Sequence, residues 1–265
     1  MSEELEVLRT VTQRLDRAQI RYMVTGSMAA NFYAVPRMTR DIDIVVELSE
    51  VDVDRVVGLF QGDFYVDREM VQRAIREKAM FNIIQNAFVI KVDFVVKKES
   101  EYRREEFSRR RPVSMESHEF FIVAPEDLIL SKLEWARDSR SPLHLDDVRN
   151  LLRSVQGLDK SSGPLGESVG PRATLPGGLV MRDTSSEMEQ RYRAMLLQRS
   201  GVERLKMGCS MHATAQALVR ASILEKEPHA SSGALRRALF LRFYGQDFDP
   251  QSRERILRAL EQSGQ

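Results

Sequence analysis

The chain has 265 residues, 42% of them apolar, which is enough for a packed core and too much for a disordered polymer. Charged residues make up 30%, yet the formal net charge is +1, so the overall balance carries no signal for nucleic acid or a membrane surface. A single cysteine, Cys209, excludes an internal disulfide framework and suits a reducing cytoplasm.

The acidic, amphipathic start is unlike a secretory leader, and no apolar run is long enough to span a bilayer. Residues 3–18 read as a helix with Leu5, Leu8, Val11 and Leu15 inward. A short strand follows at 22–25, and Ser27 is placed to cap a helix that begins at Met28-Ala29-Ala30. The next strand reads at 41–47, and Ser49 is placed to cap a helix ending near Phe60. Further strands read at 81–84, 88–96 and 119–123, then helices at 125–138 and 143–154. Strands mixed with helices in this way predict an α/β (α+β) domain over residues 1–157 with a mixed sheet.

Residues 158–182 lack periodicity and are rich in glycine, proline and serine, as in Ser161-Ser162-Gly163-Pro164 and Pro176-Gly177-Gly178, which reads as a linker. Residues 183–265 are helical throughout, with helices near 185–199, 202–224, 232–244 and 250–262. Met207, Met211, Ala215, Leu218 and Val219 mark the expected packing face of the second. Met181-Arg182-Asp183 resembles the start of a separate protein, so the helical part is a candidate fused neighbour.

The chemistry concentrates in the first half. Asp41 and Asp43 alternate on a strand, so both point to one face, about 7 Å apart at Cα, while Ile42, Ile44 and Val46 point into the core. Asp93, in Ile90-Lys91-Val92-Asp93, lies on the same strand face as Lys91 and joins the pair if the two strands are neighbours. Clustered carboxylates repel and call for a cation; Mg²⁺ takes oxygen ligands and keeps positions for phosphates and water. Gly26-Ser27 adds a turn where backbone can approach a phosphate at a helix start. Lys132 falls on the apolar face of its helix with Leu128, Ile129, Trp135 and Ala136, where it can either snorkel to solvent or reach a triphosphate. The basic run Arg103-Arg104 and Arg109-Arg110-Arg111 is a solvated face or a second phosphate-contacting surface. The four histidines lie too far apart in sequence for a zinc pattern.

The order Gly-Ser, spacer, Asp-x-Asp, later strand aspartate resembles the nucleotidyltransferase fold of the DNA polymerase β superfamily. Within it, the first 155 or so residues most resemble AbiEii-type nucleotidyltransferases, the toxins of toxin–antitoxin pairs. That resemblance implies Asp41, Asp43 and Asp93 as catalytic metal ligands for two Mg²⁺ ions, and Gly26, Ser27 and Lys132 as nucleotide-binding residues. It gives Lys132 and Asp147, or the neighbouring Asp146, as the later catalytic positions; the basic residues usual before that aspartate are missing here. The implied reaction is transfer of a nucleoside monophosphate from a nucleoside triphosphate to an RNA or protein hydroxyl. The implied partners are such an acceptor and an antitoxin, or inhibition by residues 183–265 in its place. Alternative readings are a small-molecule, antibiotic-type nucleotidyltransferase and a catalytically silent nucleotide-binding regulator.

Overall fold

The computed structural model describes residues 2–139, 142–158 and 185–262. The glycine- and proline-rich segment and the Met181 start lie outside the described residues.

The chain opens with α1 (Glu3–Arg17), β1 (Tyr22–Val24), α2 (Gly26–Tyr33) and β2 (Asp41–Val46). Ser49 and Asp52 form a capping box over a short 3₁₀ turn, Glu50–Asp52, which leads into α3 (Val53–Phe60). Then come β3 (Phe64–Tyr65), α4 (Arg68–Glu77), β4 (Met80–Gln85), β5 (Ile90–Val96) and α5 (Glu101–Ser108). The hairpin of β6 (Arg111–Met115) and β7 (His118–Ile122) precedes α6 (Pro125–Ser139) and α7 (Pro142–Ser154). The C-terminal part consists, among the described residues, of α8 (Ser186–Leu197), α9 (Gly201–Lys226), α10 (Ser232–Tyr244) and α11 (Pro250–Gln262). This is the mixed-sheet α/β architecture with an all-α C-terminal region that the sequence predicts. No helix among the described residues is long and apolar enough to cross a membrane.

The seven strands lie in the order β3-β4-β5-β2-β1-β7-β6. β2 pairs in parallel with β5 and β1 in parallel with β7; the other pairings are antiparallel. On β2, Ile42, Ile44 and Val46 are fully buried, while Asp41, Asp43 and Val45 face the other side half-buried. One side of the central strand therefore builds the core and the other carries the carboxylates.

The short elements β3, α4, α5 and β6 have no counterpart in the sequence reading. α4 buries only Val71, Ala74 and Ile75 beneath a charged surface, and α5 buries Glu106 and Phe107. α5 has no sustained apolar stripe, whereas α4 has one, with Val71, Ala74 and Ile75 on one face behind an Asp67 cap, that the sequence reading overlooks.

α9 lies against α1 and α2, but not on the face its methionines suggest. Its buried residues are Leu205, Gly208, Cys209, His212 and Gln216, whereas Leu218 is 67% exposed. Gly208 is the reason for the close approach: a Cβ there would fall 2.0 Å from Asn31 Nδ2 and 3.0 Å from the Arg37 carbonyl oxygen. His212 Nδ1 pairs with Glu4 Oε1 at 2.7 Å, and Gln216 Nε2 donates to the Phe88 carbonyl at 3.3 Å. A glycine, a histidine and a glutamine thus take positions that periodicity reads as polar surface.

α10 and α11 build a second small core over the β4–β5 hairpin: Leu239, Phe240, Tyr244, Ile256 and Leu260 against Ile84 and Val89. Arg236 donates to the Leu260 carbonyl and Arg237 pairs with Glu261, so these arginines fasten α10 to α11.

Candidate active site

The parallel register of β2 and β5 sets Asp43 opposite Asp93 and Asp41 opposite Lys91. The three aspartates of the sequence reading therefore share one sheet face. Asp93 is 5% exposed, and its Oδ1 is buried with no hydrogen-bond partner.

Lys91 enters the same group. Its Nζ is 2.9 Å from Asp93 Oδ2 and 3.7 Å from Asp41 Oδ2, and it reaches Asp247 Oδ2, from the turn between α10 and α11, at 3.3 Å. Arg40 Nη2 holds the other Asp247 oxygen at 3.2 Å and a second Arg40 nitrogen donates to the Phe243 carbonyl. The Tyr244 hydroxyl donates to the Arg40 carbonyl, and its ring centre lies 5.8 Å from both the Arg40 guanidinium and Lys91 Nζ.

Burial, then repulsion from Asp41 and Asp93, pushes the Asp43 carboxyl up to about 7, against the pull of Lys132 and Lys91. Burial also pushes Asp93 up, to about 6, although Lys91 opposes it. Burial alone would lower Lys91; Asp93 and Asp41 outweigh it and raise its pKa.

Gly26 closes one side. Its φ is +61°, in the left-handed region, and a Cβ there would sit 1.9 Å from Asp43 Oδ2. Thr25 N donates to the Asp43 carbonyl at 2.9 Å, tying the turn to β2. The helix begins at Gly26, one residue before Ser27, so Ser27 does not cap it as the sequence suggests; Thr25 precedes the first turn and makes no side-chain cap bond. Ser27 Oγ instead accepts from Arg37 Nη2 at 2.7 Å.

A second charged group faces the carboxylates. Lys132, 3% exposed, donates from Nζ to Asp147 Oδ2 at 2.6 Å. Arg37 grips the same carboxylate with Nε and Nη2, each at 2.7 Å. Burial would raise Asp147, but the Arg37 hydrogen bonds and the Lys132 charge hold it below the usual carboxylate range. Asp146 is exposed and pairs with Arg149, so Asp147 is the aspartate at the cleft. Lys132 therefore does not snorkel to solvent; α7 supplies its counter-charge. Between the two groups lies a cavity of about 300 Å³ reached by Gly26, Asp43, Asp93, Lys132, Trp135 and His144.

The basic run is largely consumed within the fold. Arg103 pairs with Glu106 and Glu134, Arg109 with Asp127 and Glu105, and Arg111 with Glu126. Arg110 lies over the rings of Phe107 and Phe121.

Among the described residues no three histidine, cysteine or carboxylate side chains already stand as a metal-holding group. The donor chemistry nonetheless suits a hard divalent cation: three carboxylates on one face, two of them pushed upward by burial and crowding, one with a buried oxygen that lacks any donor. Sequence reasoning missed Arg37, Arg40, Tyr244, Asp247 and the role of Lys91. The Lys91 alternation with Asp93 was a usable signal; nothing local distinguishes Asp247.

No family model matches this chain, and no curated protein matches it. Among solved structures, one similar chain is a candidate nucleotidyltransferase from Thermotoga maritima, 19% identical, with a TM-score of 0.38, covering 58% of this chain and 94% of that one. Another is an antigenic nucleotidyltransferase-like protein from Paracoccidioides brasiliensis, 17% identical, with a TM-score of 0.41, covering 78% of this chain and 94% of that one.

Proposed function

We propose that this chain is a Mg²⁺-dependent nucleotidyltransferase that moves a nucleoside monophosphate from a nucleoside triphosphate to an acceptor hydroxyl. The observation that carries this reading is the contact between the Gly26 turn and Asp43, which leaves no room for a Cβ. A backbone that close to a carboxylate puts a phosphate-approaching turn directly beside a candidate metal ligand.

Asp41, Asp43 and Asp93 would hold the cations. When bound, a cation pair supplies charge neutralisation to the attacking and leaving oxygens. The Gly26 turn orients the triphosphate, and Lys132 supplies positive charge from the opposite wall. Asp147 positions Lys132 and Arg37 through its two oxygens. The acceptor oxygen bonds to the α-phosphorus, the α–β anhydride bond breaks, and pyrophosphate leaves with the electron pair. The hydroxyl proton passes to a carboxylate oxygen of the cluster that the cations leave free.

The toxin–antitoxin type and an RNA or protein acceptor rest on the resemblance of residues 1–155 to AbiEii-type enzymes, and the cytoplasmic setting on the single cysteine. The test is incubation of the full chain with labelled triphosphates, Mg²⁺ and total RNA. Label entering RNA or protein, and lost with Asp43→Asn, supports the reading; no transfer to any acceptor with each of the four triphosphates sinks it. One observation favours a second reading, a silent nucleotide-binding regulator: the Lys91 ammonium already occupies the carboxylate face. That reading requires nucleotide binding without turnover in the same assay.

A further inference from the structure

Lys91 is a buried cation placed where a metal would need the same oxygens. Its Nζ neutralises Asp93 at 2.9 Å and approaches Asp41 at 3.7 Å. An ammonium and a hard divalent cation compete for such oxygens, because each lowers the charge that attracts the other. Removing Lys91 from them would leave a charge buried unless another acceptor lay within reach.

One does, and it comes from outside the sheet. Asp247 Oδ2, on the α10–α11 turn, is 3.3 Å from Lys91 Nζ. Asp247 is itself anchored by Arg40, and the Tyr244 ring flanks both cations. Asp247 already shares the ammonium with Asp93 and Asp41, so a rotation of the four-carbon lysine stem would leave it with Asp247 and the aromatic face. An independent sign of an absent ligand is Asp93 Oδ1: the residue is 5% exposed, lies on the cavity wall, and this oxygen has no donor.

Resting on the metal-dependent reading above, we infer that Lys91 is the resident counter-ion of the Asp41–Asp43–Asp93 cluster and Asp247 its alternate partner, so that the C-terminal helices set how tightly the site takes a divalent cation. Both are positioning residues that act through the carboxylates.

The experiment is a titration of the full chain with Mn²⁺ alone, read by the electron paramagnetic resonance of free Mn²⁺. Lys91→Met binds Mn²⁺ at least about tenfold more tightly than the wild type. Asp247→Asn binds it more weakly, because Lys91 loses its second partner, and Asp247→Glu restores the wild-type affinity. The double variant matches Lys91→Met, since Asp247 acts only through Lys91. Equal or weaker binding by folded Lys91→Met, with the wild type still binding Mn²⁺, overturns the counter-ion role and leaves the metal reading standing. A double variant weaker than Lys91→Met makes Asp247 a direct ligand and overturns its role as alternate partner. Failure of the wild type and Lys91→Met alike to bind Mn²⁺ removes both readings. Should Lys91→Met not fold, judged by circular dichroism, the partly exposed Asp247→Asn decides: unchanged affinity overturns the inference.

Discussion

Replacing Gly26 with alanine tests the site at its tightest point. The added Cβ would lie 1.9 Å from Asp43 Oδ2, 2.5 Å from Cγ and 2.8 Å from Cβ, so the carboxylate must move by more than 1 Å to reach ordinary contact. The backbone adds its own penalty, because φ is +61° and a left-handed alanine costs roughly 1–2 kcal/mol. In a chain of this size that corresponds to a fall in melting temperature of about 2–8 °C. A catalytic group displaced by about 1 Å costs on the order of 100-fold in rate. The expected result is a protein that folds, melts a few degrees lower, and transfers label about 100-fold more slowly. Gly58→Ala is the control: nothing lies within 4 Å of a Cβ there, and the α3 helix gains about 0.5–1 kcal/mol. Calorimetry with a triphosphate separates binding from transfer. Wild-type rate and affinity in Gly26→Ala would refute the argument that this turn and Asp43 form one site.

Asp43→Asn should raise the metal-free melting temperature at pH 8 and leave it little changed at pH 4. Burial and neighbouring carboxylates raise the Asp43 pKa, so the wild type loses stability as pH rises from the ordinary carboxylate value through the raised one. A variant that melts lower than the wild type at pH 8 would show that the charge stabilises rather than strains. Asp147→Asn should cost about 3 kcal/mol near neutrality by urea melts, since it leaves Lys132 and Arg37 with no carboxylate between them. Because Asp147 is held below the usual range, its contribution is present above about pH 4 and lost as pH falls further; a gap between wild type and variant that does not narrow as pH falls below about 4 contradicts the pairing. Gly208→Ala should destabilise despite better helix propensity, because its Cβ meets Asn31 at 2.0 Å and the Arg37 backbone at 3.0 Å; a rise in melting temperature would mean α9 packs more loosely than described.

The parts of this fold that could be read from sequence are those where one physical demand dominates. Asp-Ile-Asp-Ile-Val-Val states its strand by alternation, and its burial follows residue by residue. Ser49 announces a helix start, which the structure completes as a capping box with Asp52. β3 and α5 could not be read because they are short and held by packing against neighbours rather than by their own pattern, whereas α4 does carry a signal, an Asp67 cap before Val71, Ala74 and Ile75 on one face. Ser27 was misread because a serine at a helix start suits two roles, and only the position of Arg37 decides between them.

The same logic separates the halves of the site. Asp41 and Asp43 are legible because strand alternation points both the same way before any tertiary contact is known, while Asp93 joins them only through the pairing of β2 with β5. Lys132 was legible as a charge on an apolar helix face and Asp147, or Asp146, only through the family resemblance, while the 2.6 Å pairing of Lys132 with Asp147 depends on how α6 meets α7. Asp247 is the extreme case. It lies 154 positions after Asp93, in a turn with nothing unusual about it, and gains meaning only because Tyr244 and Phe240 bury themselves against Ile84 and Val89. That apolar contact carries the α10–α11 turn to the mouth of the carboxylate cluster. Packing with no chemistry of its own thus delivers a charged group to the site, and such a residue becomes visible only when the register of the whole fold is known.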